Sequence, residues 1–146
     1  MKLETSRILA QLSEQERNKV EAELSELNGR KHMLEQQHQT SMQRIHQLNQ
    51  QRDQAMRNRN AASLLQVFDT AFREEQAMVL TVQAAIASME QQKEAILSRL
   101  TTALQTHHAY DGMHQEEKRK QSRSNEIKTE RQLDDLVASR KAAASH

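Results

Sequence analysis

The chain predicts an all-α protein: two long helices in an antiparallel coiled-coil hairpin, the second helix longer and overhanging at the C-terminus. Three observations lead there. The 146 residues include no proline, cysteine or tryptophan, two glycines and only 2% aromatic side chains. That is too little bulk for an ordinary packed domain, and good helix formers take its place. An unbroken heptad seam runs from Leu65 to His114, and a weaker seam before it shares its register about a turn near residue 60.

In alternating steps of three and four, the strong seam reads Leu65, Phe68, Phe72, Glu75, Val79, Val82, Ile86, Met89, Lys93, Ile96, Leu100, Ala103, His107, Tyr110 and His114. A straight helix of 3.6 residues per turn drifts off such a pattern, so it asks for a left-handed supercoil against another helix. The mean hydropathy is −0.93, yet the apolar residues are periodic, which disordered chains lack.

Helix 1 is expected over about residues 4–57. Its stripe is Ile8 or Leu9, Leu12, Val20, Leu24, Leu27, Leu34, Ile45, Leu48 and Ala55, with Ser41 at a gap. Arg17, Lys31, His38, Arg52 and Arg59 fall on the same heptad position as Leu24 and Ile45. From Leu12 to Val20 the spacing is eight, which predicts a stutter that locally unwinds the supercoil.

The turn is expected at about 58–62. Asn58 and Asn60 are the residues best able to take a left-handed backbone and close a helix. Ser63 followed by Gln66 fits a capping box that opens helix 2, expected over about 63–141.

Antiparallel pairing then matches residues whose numbers add to 120: Ala55 with Leu65, Leu48 with Phe72, Leu34 with Ile86, Leu24 with Ile96 and Val20 with Leu100. Polar layers pair Arg52 with Phe68, Lys31 with Met89, Leu27 with Lys93 and Ile45 with Glu75. Long basic side chains can lay their stems on such partners and keep the charge wet. Gly29 and Gly112 fall at position f, away from the seam.

The same register puts Leu3 opposite residue 117. Everything beyond about Lys118 therefore has no partner within the chain. That segment is polar until Leu133, Leu136 and Val137. An isolated polar helix is marginal in water, so these three suggest a docking face.

Charge and motif content narrow the function classes. With 21 basic and 20 acidic residues the formal net charge is +1, giving no broad positive field to recruit nucleic acid or an anionic membrane. No segment approaches the ~20 apolar residues of a membrane span, and the start has no secretory core. Absence of cysteine fits a reducing compartment. These features predict a cytosolic location, with neither nucleic-acid binding nor membrane insertion.

There is no Gly-rich phosphate loop. Among seven histidines, His107 and His114 lie two turns apart, too far to chelate jointly, and His107 and His108 do not share a face. Glu116, Glu117, Glu126 and Glu130 read as solvated helix charges. The expectation is a protein with no catalytic residue, cofactor or metal. Lys118, Arg119, Lys120 and Arg123 form a short basic patch, suited to an acidic protein surface.

The C-terminal run EEKRKQSRSNEIKTERQLDDLVASRK, with its step Leu133-Asp134-Asp135-Leu136 followed by Arg140 and Lys141, resembles the flagellar export protein family FliJ. The resemblance covers essentially the whole chain, including the short first and long second helix. Stalk proteins of virulence type III secretion are similar. It implies a cytoplasmic stalk, peripheral at the inner-membrane export apparatus, that couples the hexameric export ATPase to the membrane export gate and meets export chaperones. Carried onto this chain, ATPase contacts fall on Ile8, Leu9, Lys118, Arg119, Arg123, Leu133, Leu136, Val137 and Arg140. Gate contacts fall by seam position on Phe68 and Phe72 with Leu65 beside them; counting back from the LDDL step places them about three residues later. A reading from another class is a structural tether that self-assembles through coiled coils.

Overall fold

The computed structural model describes residues 2–57 and 61–145. They form two α-helices, α1 from Leu3 to Arg57 and α2 from Ala61 to Ala144, of 55 and 84 residues. The two pack against each other as a helical hairpin, and no strand occurs among the described residues. Glu4 in the first turn of α1 and Arg57 in its last both complement the helix dipole. The expected closure by Asn58 and Asn60 lies outside the described residues. Helix α2 opens at Ala61, within two residues of the start expected at Ser63.

The chain divides into two compact units. Unit 1 holds Met1–Val20 and Leu100–His146; unit 2 holds Glu21–Arg99.

In unit 2 the expected layers are present. Every seam position of α2 from Leu65 to Ile96 is covered at least in part, as are Leu24, Leu27, Leu34, Ser41, Ile45, Leu48, Arg52 and Ala55 on α1. Val82 and Leu27 are buried. Side chains confirm the register: Lys31 pairs with Glu90, and Arg44 with Glu75 at 3.5 Å. Arg99 grips Glu23 with two hydrogen bonds of 2.6 and 3.4 Å. Such pairs flank the seam and select antiparallel register more than they stabilise it.

In unit 1 the stripe expected on α1 is corrected. Leu12 is 55% exposed and Ile8 is 44% exposed, while Ser6, Ala10 and Ser13 are buried. The steps of three and four therefore continue from Val20 back through Arg17, Ser13, Ala10, Ser6 and Leu3, with no stutter. Small α1 residues meet large α2 ones here. Ser6 Oγ lies 3.0 Å from His114 Nδ1, and Ser13 Oγ lies 3.1 Å from His107 Nδ1. Both pairs have numbers adding to 120, the register expected from the sequence.

Each serine hydroxyl donates its proton to a carbonyl one turn back, Ser6 to Leu3 at 2.7 Å and Ser13 to Ala10 at 2.8 Å. Both layers also place a hydroxyl and an imidazole within hydrogen-bond distance, so buried polar layers replace apolar ones with partners made.

Candidate functional site

Two surfaces carry the sequence-derived site residues. The first lies in unit 2, where α2 begins. Leu65, Phe68 and Phe72 share the seam face of α2 and are each half-covered. Their partial exposure fits a two-helix seam, which cannot enclose large side chains. Arg52 of α1 lies with its guanidinium 5.5 Å from the Phe72 ring centre, a cation–π approach one turn beyond the Phe68 layer where it was expected. One turn further, Glu75 turns to Arg44 instead of only facing Ile45. Arg52 Nε and Glu75 Oε2 are buried with no hydrogen-bond partner among the described residues. The face is thus aromatic and charged together, with polar capacity left unused.

The second surface lies in unit 1. Glu117 is the last α2 residue with partial cover, and residues 118–145 are all exposed. Lys118, Arg119 and Arg123 open this extension. Arg119 leans on Glu116 at 3.7 Å and Lys120 on Glu117 at 3.8 Å, so acidic neighbours partly offset the patch. Leu133, Leu136 and Val137 are 57, 58 and 51% exposed. Together with Arg140 they follow steps of i, i+3, i+4 and i+7, one stripe of a helix. Continuing the heptad past His114, they occupy positions f, b and c, the side opposite the seam. About 15 Å of helix separates Arg123 from Leu133, so the basic and apolar parts form two patches.

Ile8 and Leu9 lie on α1 within the same unit. Ile8 is exposed on the outer side and Leu9 is half-covered. Neither lies in the seam line that runs through Ser6 and Ala10.

The Ser–His layers were missed as sites of interaction from sequence; a seven-residue repeat of serine opposite a seven-residue repeat of histidine was the available signal. Each serine oxygen in these layers has two polar neighbours, a backbone carbonyl one turn back and an imidazole of α2. Among the described residues, no three His, Cys, Asp or Glu side chains are grouped to hold a metal ion, and no helix is long and apolar enough to cross a membrane.

Compared with known proteins, the chain matches no family model, no curated protein and no solved structure.

Proposed function

We propose that the protein is a non-enzymatic stalk of a type III export apparatus, flagellar by its C-terminal resemblance. It couples a hexameric export ATPase to the membrane export gate and meets export chaperones in the cytoplasm. One observation carries this reading: a 27-residue stretch, 118–144, continues α2 past the last paired layer with every side chain exposed. A helix without intramolecular cover gains stability by docking, and this one offers cations first and an apolar stripe second. In this reading the extension, with Ile8 and Leu9, engages the ATPase ring, and Leu65, Phe68 and Phe72 engage the gate.

The test is binding to the export ATPase encoded in the same genome, using the full chain and a chain ending at Glu117. The full chain is expected to bind, more weakly as salt rises, because the contacts at Lys118, Arg119, Arg123 and Arg140 are screened. Equal ring affinity for the truncated chain would refute this role of the extension.

A further inference from the structure

We propose that two copies of the chain associate antiparallel through the outer side of α2 in unit 2, centred on Ala84, with Arg73 of each copy against the partner's Glu94. The stretch from Gln76 to Met89 contains no ionisable residue over fourteen positions, in a chain that is 28% charged. Only one side of it is covered, through Val79, Val82, Ile86 and Met89 of the seam. The other side presents Ala77, Leu80, Thr81, Ala84, Ala87 and Ser88, all exposed, with Leu80 at 67%. A helix with no charge on its outer side offers a face that a partner can cover without burying an ion. The outer side of α1 in the same unit is glutamine- and histidine-rich instead (Gln36, Gln43, His46, Gln50), as a solvated face should be.

The occupant is argued from self-complementarity. A two-fold axis at Ala84 sets Leu80 against the partner's Ala87, Thr81 against the partner's Ser88 and Arg73 against the partner's Glu94, each twice. Large meets small, hydroxyl meets hydroxyl and cation meets anion, on one face that supplies both halves of the interface. Small residues at the axis let the helix backbones approach closely. Parallel pairing would instead stack Arg73 on the partner's Arg73, so charge selects the antiparallel arrangement. Arg73 and Glu94 are both exposed. This contact involves none of the residues assigned to the ring or gate, so it stands or falls apart from the stalk reading.

Sedimentation equilibrium of the full chain, over micromolar to submillimolar concentration, reads the association directly. The mass is expected to rise from 16.9 kDa towards twice that value. Arg73→Glu and Glu94→Arg are each expected to weaken association by roughly tenfold or more, because each creates two like-charge contacts per dimer. The double exchange restores it, and Arg73→Lys retains it. Circular dichroism shows that each variant keeps its helices. Ala84→Cys, in a chain without other cysteines, should oxidise to a covalent dimer across the axis. A single-chain mass at every concentration overturns the proposal and leaves this face to a different protein. A dimer indifferent to Arg73→Glu overturns it as well.

Discussion

Val20 is 1% exposed and Leu12 is 55% exposed, although both are large apolar residues of the same helix. Truncating each to alanine separates buried seam from surface. Val20→Ala is expected to cost about 2 kcal/mol, the worth of a fully buried valine side chain. Leu12→Ala is expected to cost less than about 0.5 kcal/mol, as for an ordinary surface site. Urea unfolding of both variants measures the difference, and equal costs would restore the apolar stripe expected from sequence. Lys31 and Glu90 give the residue scale its pH dependence. The hydrogen bond from Lys31 holds the Glu90 carboxyl below the usual carboxylate range, and the bond to Glu90 holds the Lys31 ammonium above its usual range. Glu90 therefore adds stability above the usual carboxylate range and loses it as pH falls from that range through its lowered folded-state pKa. Lys31 adds stability at neutral pH and loses it as strongly alkaline conditions deprotonate it. Glu90→Gln should lower the thermal midpoint at pH 7 and match the parent in acid. The gap should narrow in high salt, because both groups face water.

At the scale of the element, antiparallel pairing makes a covalent test available. Leu48 and Phe72 are half-covered and occupy one expected layer of unit 2. Leu48→Cys with Phe72→Cys should oxidise to an intramolecular disulfide, read as a faster-migrating monomer in non-reducing electrophoresis. Only covalent dimers would point to helices paired between chains instead. How much of each helix was legible follows from the same layers. Helix α2 announced its seam because Val79, Val82, Ile86 and Ile96 are large and apolar, so periodicity alone located it. Helix α1 was legible from Val20 onward and misread before it. There Ser6, Ala10 and Ser13 are small, and their burial is earned by fit against His114 and His107, which hydropathy does not register. Exposure at the candidate site was legible where it followed from register, as in 118–145. Contacts were not legible where a side chain chose between neighbours, as Arg52 did in reaching Phe72.

For the molecule as a whole, the contrast between covered and uncovered helix sets what holds it together. Below Glu117 the backbone hydrogen bonds of α2 are backed by layers of α1; above it they rest on the helix alone. Nothing from 118 to 145 is buried, so that stretch opens without disturbing any layer. In deuterated buffer its amides should exchange within the dead time of a manual experiment, while those around Val82 and Ala103 resist for far longer. The boundary should fall within a turn of Glu117. A binding partner that covers the overhang would erase this boundary, so slow isotope uptake there becomes a signature of occupancy that needs no label and no assumption about who the partner is.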